Sequence, residues 1–285
     1  MQICRSIAAI RDTVAGFRGE GHSLGLVTTM GALHEGHMSL VAAAKRDHDR
    51  VVATIFVNPT QFGDPKDLET YPRTESADLA MLEAAGCDAV LIPRADEIYP
   101  AGDETIVETQ NLAMRLHGAV RPGHFRGVAT VVTKLFNITR PDAAYFGEKD
   151  YQQLQVIRRM ATDLHMGIDI HGVPTLREAD GLAMSSRNVR LTAQDRAAAL
   201  CLSRALDRAE RMAAERASPA RIEAAIRGTI ADEPRATLTG LDMVAPESLA
   251  PLRQSPDAPL SEPIAIMISA QFGEVLLIDQ REIAP

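Results

Sequence analysis

The feature that most limits what this chain can fold into is an alternation. Short apolar runs rich in β-branched residues take turns with helical patterns through the first two-thirds of the sequence. Such an order calls for a parallel sheet, because consecutive parallel strands need a crossover of a dozen or more residues, usually a helix. Residues 24–28 read as a strand, 39–48 as a helix opening at or just before Gly36, and 51–57 as a continuous buried strand. A helix over about 75–85, with Gly86 past its C-terminus, leads to a strand at 89–92. Val128, Val131, Val132, Leu135 and Phe136 recur at helical spacing, and strands at 143–146 and 168–171 bracket a helix over 151–164.

Past Asn188 the texture changes. Residues 192–215 are Ala- and Arg-rich at helical period, and 219–230 give a second helix with Pro219 at its start. Strands at 241–244, 264–270 and 274–279 follow, the last two joined around Phe272-Gly273, and the proline-rich stretch 246–263 reads as an irregular loop. The expected organisation is an α/β domain over 1–187 and a smaller C-terminal α+β domain over 188–285.

Composition removes several function classes. Thirty Lys+Arg stand against 38 Asp+Glu, with no basic run and no interleaved aromatics, so no nucleic-acid surface is expected. No apolar run approaches the ~18 residues of a membrane span. Cys4, Cys87 and Cys201 match neither a zinc spacing nor a disulfide framework. A soluble, unprocessed cytoplasmic protein fits these observations, and any anionic ligand must be held by local groups.

Four clusters carry candidate chemistry. His34 and His37 stand between a strand and a helix mouth, bracketed by Gly31 and Gly36. Glycines admit a ligand close to the backbone, a helix N-terminus offers unpaired N–H groups, and imidazoles donate to phosphate oxygens. The competing readings are a surface coincidence or half of a zinc site, and for the latter neither a Cys partner nor a second His pair is present. Gly147-Glu148-Lys149-Asp150 follows another strand; Lys149 suits phosphate and Asp150 a ribose hydroxyl, although acids at a helix start also simply favour the dipole. Met184-Ser185-Ser186-Arg187 supplies two hydroxyls and a guanidinium suited to a polyphosphate, or else a polar linker. Asn58 and Gln61 place amides beside Phe62, the mix expected where a small polar-headed molecule is oriented, with turn capping as the plain alternative for Asn58.

The run Thr29-Met30-Gly31-Ala32-Leu33-His34-Glu35-Gly36-His37-Met38-Ser39-Leu40 strongly resembles the signature of the pantothenate synthetase family. Residues 55–62, Tyr71-Pro72-Arg73-Thr74, 121–128, 145–154 and 172–188 match in order, with weaker agreement at Ile278-Asp279. The resemblance implies a Rossmann-like nucleotidyltransferase fold and the condensation of pantoate with β-alanine. It further implies cleavage of ATP to AMP and pyrophosphate, Mg2+ on the phosphates, a pantoyl adenylate intermediate and a homodimer. Carried onto matching positions, it assigns ATP to Met30, Gly31, Ala32, Leu33, His34, Glu35, Gly36 and His37, to Gly147, Glu148, Lys149 and Asp150, to the backbone at Leu176, and to Met184, Ser185, Ser186 and Arg187. His37 is then the proton-donating catalytic group with His34 beside it, and Lys149 and Arg187 are the phosphate-facing cations. Gln61 and Gln153 hold pantoate, and Gln61 also serves β-alanine; Asn58, Arg121 and His124 are secondary candidates. No protein side chain is assigned to the metal.

At Thr28 the chain departs from the family, which usually has proline before Thr-Met-Gly, so the lead-in to the loop is expected to be freer. The C-terminal domain is expected to act as a lid, with residues 188–192 near the hinge, keeping water from the anhydride. Two rivals remain: a nucleotidyltransferase that keeps the nucleotide in its product, and a nucleotide-binding module without catalysis. The paired Gln61 and Gln153 speak against the first, and retention of both histidines, Lys149 and Arg187 against the second.

Overall fold

The expected strands come together in a computed structural model that describes residues 1–285 throughout. β1 (Gln2–Cys4), β2 (Leu24–Thr29), β3 (Arg50–Ile55), β4 (Ala89–Leu91), β5 (Ala143–Gly147) and β6 (Asp169–Val173) form one sheet in the order β1-β4-β3-β2-β5-β6. Every neighbouring pair is parallel. The five strands read from the sequence lie where expected, and β1 is an addition. It is three residues long with only Cys4 buried, too short for a periodic signal, and Ser6 caps the helix Ile7–Gly19 that follows it.

β2, β3 and β4 are almost wholly buried because helices cover both faces of a parallel sheet. Val27, Val41, Val51, Ala53, Leu82 and Val90 form a shared core with Tyr145 of β5. Strand order reverses between β2 and β5, whose carboxyl ends lead into Met30 and Glu148. A parallel sheet opens its ligand crevice at such a reversal.

The chain divides into two units. The first comprises Met1–Glu148 and Gln152–Pro174, the second Lys149–Tyr151 and Thr175–Pro285. The second begins earlier than the 187/188 boundary read from the sequence because residues 175–187 are tied to its own sheet. Glu178 N donates to Leu182 O at 2.8 Å and Met184 N to Leu176 O at 3.0 Å, and Arg177 is paired with Asp279.

In the second unit β7 (Ala236–Val244), β8 (Ile264–Phe272) and β9 (Val275–Ile283) form an antiparallel sheet in that order. Leu202, Leu206, Ile222 and Ile226 from its helices pack with Ile264, Ile266, Ile268 and Phe272 of β8. The expected helix over 192–215 is two helices, Ala193–Ala198 and Leu200–Ala214. Ala199 tightens the chain at the joint, its N–H reaching both Ala197 O and Asp195 O. Such a one-residue break leaves the apolar period intact. No helix is long and apolar enough to cross a membrane.

Candidate functional site

In the first unit, His34 and His37 are each other's helix caps. His34 is the N-cap of Glu35–Asp47, with extended backbone, and its Nδ1 accepts from Gly36 N at 3.1 Å. His37 Nδ1 in turn accepts from His34 N at 3.3 Å, completing a capping box in imidazole form. With both Nδ1 atoms accepting, each neutral ring carries its proton on Nε2. The rings lie 4.1 Å apart, tilted by 48°. Glu35 at the first turn and Lys45 and Arg46 at the last complement the helix dipole.

The loop leading to these histidines is wound left-handed twice, at Gly31 (φ +83°) and Ala32 (φ +50°). Glycine is required at 31, since a Cβ there would also stand 3.0 Å from Asp78 Oδ2. Thr28 is paired in register with Thr54 of β3, and Thr29 Oγ1 donates to Thr54 O at 2.7 Å while accepting from Gly31 N at 3.2 Å. The freer lead-in expected from the missing proline is thus taken up by the strand ladder.

Met30 and Gln61 meet: Gln61 Nε2 donates to Met30 Sδ at 3.3 Å. The amide is oriented from its other end by Asn58, whose Nδ2 donates to Gln61 Oε1 at 2.9 Å and to Gly127 O at 3.2 Å. Asn58 Oδ1 accepts from Thr60 Oγ1 at 3.0 Å and from Tyr99 OH at 2.8 Å. Burial pushes the Tyr99 phenol up, so it stays a donor. The amide pair thus leaves Gln61 with its N–H aimed at a weak sulfur acceptor, one that an oxygen of a ligand readily replaces. His124 Nδ1 lies 2.9 Å from Gln61 O, and Arg121 Nη1 3.5 Å from His124 Nε2. Gly127 lets the helix His124–Thr139 touch this turn, for a Cβ there would sit 2.6 Å from Thr60 O.

Gln153 lies half-buried in the first turn of Tyr151–Asp163. Its neighbour Gln152 has a different task, with Nε2 donating to Leu112 O at 2.8 Å and Arg115 O at 2.7 Å. Gly147 ends β5 and Glu148 begins the turn Glu148–Asp150.

In the second unit, Lys149 Nζ lies 3.8 Å from Asp150 Oδ2. Leu176 and Met184 are joined through their backbones, and Ser185 Oγ accepts from Arg187 N at 3.2 Å. Arg187 Nη1 donates to Leu276 O at 3.4 Å, and Ser186 lies between, half-buried. The segment is anchored by Arg177, whose two terminal nitrogens reach Asp279 at 2.7 and 2.9 Å while Nη1 also donates to Gly181 O at 3.1 Å. Burial opposes the charge of Arg177 most strongly, yet the hydrogen bond to Asp279 and the attraction of the Asp279 and Asp207 charges together outweigh it and hold the guanidinium above its ordinary pKa.

Sequence reasoning missed Asp78, Tyr99, Arg177 and the purpose of Asp279. The signals were present but read differently: Asp78 looks like any acid in a first turn, and Asp279 sits in the matched pair 278–279 without its partner in view. Cysteine plays no part, since all three thiols are buried and burial pushes those of Cys87 and Cys201 up to about 11.

The family model described as pantoate-beta-alanine ligase matches residues 2–282. A pantothenate synthetase of Sinorhizobium medicae is 49% identical over 286 residues, covering 100% of this chain and 97% of the relative. That of Agrobacterium fabrum is 48% identical, covering 99% and 96%. The crystal structure of pantothenate synthetase from Thermus thermophilus superposes with a TM-score of 0.93 at 42% identity, each chain fully covered. A pantoate-beta-alanine ligase from Francisella tularensis, complexed with beta-gamma ATP and beta-alanine, gives 0.79 at 34% identity, covering 99% of this chain and 97% of that one. A match over nearly the whole length, on a sheet whose reversal carries the paired histidines, means that this chain belongs to the pantoate–β-alanine ligase family.

Proposed function

We propose that the chain joins (R)-pantoate to β-alanine at the expense of ATP, through a pantoyl adenylate. The observation that carries this reading is the pair of imidazoles whose Nδ1 atoms are both spent on backbone N–H groups, with Gln61 and Met30 in contact nearby. Two Nε2 protons at a helix mouth suit the α-phosphate, and an oriented amide suits a hydroxy acid.

In the first step a carboxylate oxygen of pantoate attacks the α-phosphorus and the bond to pyrophosphate breaks. His34, His37, Lys149 and Arg187 spread the charge that builds on the phosphoryl oxygens, which is positioning plus electrostatic stabilisation. Backbone and side chains of 30–37, 147–150, 176 and 184–187 hold the nucleotide; Gln61 and Gln153 hold pantoate. In the second step the neutral amine of β-alanine, received at Gln61, attacks the anhydride carbonyl, AMP departs and the amine proton is released. His37 Nε2 donates a hydrogen bond to the departing phosphate oxygen and so stabilises its charge. No side chain is acylated, since all three thiols are buried and burial pushes those of Cys87 and Cys201 up.

Magnesium enters as part of the nucleotide substrate. No three His, Cys, Asp or Glu residues stand together as a metal-holding group, and a hard cation is served by phosphate oxygens and water. The same reading extends to a homodimer, to a cytoplasmic setting, and to residues 188–285 as the lid that keeps water from the anhydride. Pantoate-dependent exchange of labelled pyrophosphate into ATP, followed by β-alanine-dependent release of pantothenate and AMP, is the expected result. Exchange that runs without pantoate refutes the assignment.

A further inference from the structure

Asp78 lies outside every cluster assigned above, yet it is 2% exposed and takes three hydrogen bonds. Its Oδ2 accepts from Ala32 N at 3.0 Å, and its Oδ1 accepts from Leu33 N at 2.8 Å and from Thr74 Oγ1 at 3.1 Å. Thr74 is the N-cap of the helix Glu75–Ala84 but makes no side-chain cap; its hydroxyl serves the carboxylate instead.

The two N–H groups it holds are the ones that the left-handed excursion at Gly31 and Ala32 turns inward. Ala32 has a Cβ at φ +50°, a region an L-residue occupies only when its surroundings impose it. A buried anion bonded to two successive N–H groups is such an imposition, because letting the loop relax would strand the charge. One residue beyond Leu33 is His34, the N-cap whose extended backbone sets the position of both imidazoles.

We propose that Asp78 is a positioning residue for adenylation: it fixes the loop Gly31–Ala32–Leu33 so that His34 and His37 meet the phosphate, without touching substrate itself. The inference rests on the adenylation reading above. Its particular signature is that the strain at Ala32 and the carboxylate at Asp78 are coupled.

Pantoate-dependent pyrophosphate–ATP exchange, measured alongside thermal unfolding, tests this with D78N, T74V, A32G and D78N/A32G. D78N retains one carbonyl acceptor but turns an amide N–H toward a backbone N–H, and kcat is expected to fall at least tenfold while KM for pantoate changes less than threefold. A32G removes the Cβ that disfavours the turn, so the double variant is expected to recover kcat at least threefold over D78N. A residue that merely stabilised the fold would give no such recovery. T74V removes one donor and keeps the charge; a two- to fivefold loss in kcat with little change in thermal midpoint is expected. It decides the matter if D78N does not fold. Unchanged kcat in folded D78N or in T74V, or a double variant no faster than D78N, overturns the proposal. Wild-type exchange that ignores pantoate would instead overturn the adenylation reading on which it rests.

Discussion

Replacing Arg177 with Met tests how the second unit holds its segment 175–187. The Asp279 side chain is 1% exposed, and Arg177 gives it two short charge-assisted bonds. Met has nearly the volume of the Arg stem, so the change removes charge and hydrogen bonds with little loss of packing. What remains is a buried carboxylate with only Gln280 N, at 2.7 Å, as its hydrogen-bond donor. Removing one partner of a buried pair costs about 3–5 kcal/mol. Arg177 is 21% exposed, which admits some water to the pair, so the low end, about 3 kcal/mol, is expected. The chain has two units, and this pair lies within the second. Hydrogen exchange followed by mass spectrometry on peptides from β8 and β9 isolates the relevant unit. Protection there is expected to fall roughly a hundredfold, since about 1.4 kcal/mol is a factor of ten. Adding D279N, which keeps an acceptor for Gln280 N but buries no charge, is expected to restore most of the protection. Protection within threefold of wild type in R177M, or a double variant as unprotected as the single, refutes the reasoning.

Asn58→Ala, at a residue 1% exposed, strips the orienting bond from Gln61 and leaves Gly127 O and Tyr99 OH short of a partner. Stability is expected to drop by about 2–3 kcal/mol, and KM for pantoate to rise at least tenfold in the exchange assay; an unchanged KM would show that Gln61 needs no such support. Asp195 is held below its ordinary value by its bond to Arg235 and then by that to Thr192. A carboxyl lowered in the folded state contributes stability that is present above the unfolded value of about 3.9 and is lost as pH falls through the folded one. The thermal midpoint of wild type should therefore fall more steeply than that of D195N as pH drops below about 4, and parallel profiles would contradict this.

Much of this architecture was legible because parallel strands buried on both faces leave unbroken apolar runs. Residues 51–57 and 143–146 announce β3 and β5 in that way, and the switch to helical period marks the crossovers. β1 was illegible because three residues at a sheet edge carry no period. The break at Ala199 was illegible because it preserves the apolar face on both sides.

At the site, the sequence displays residue types but not who holds whom. His34 and His37 were readable as phosphate donors at a helix mouth, yet their reciprocal capping, which fixes the tautomers, is a matter of two dihedral angles at the N-cap. Asn58 was readable as a turn residue and also orients Gln61. Asp78 and Asp279 were silent because the groups they bind, 45 and 102 positions away in the chain at Leu33 and Arg177, are joined to them only by the fold.

The central claim is that pantoate is activated on its own carboxylate as an adenylate. Pantoate labelled with 18O in both carboxylate oxygens tests it directly, when turned over with ATP and β-alanine and followed by mass spectrometry of the products. The oxygen that attacks the α-phosphorus leaves with the nucleotide, so one 18O in each AMP and none in pyrophosphate is the expected outcome. Unlabelled AMP, or label in inorganic phosphate with ADP as the nucleotide product, would contradict it.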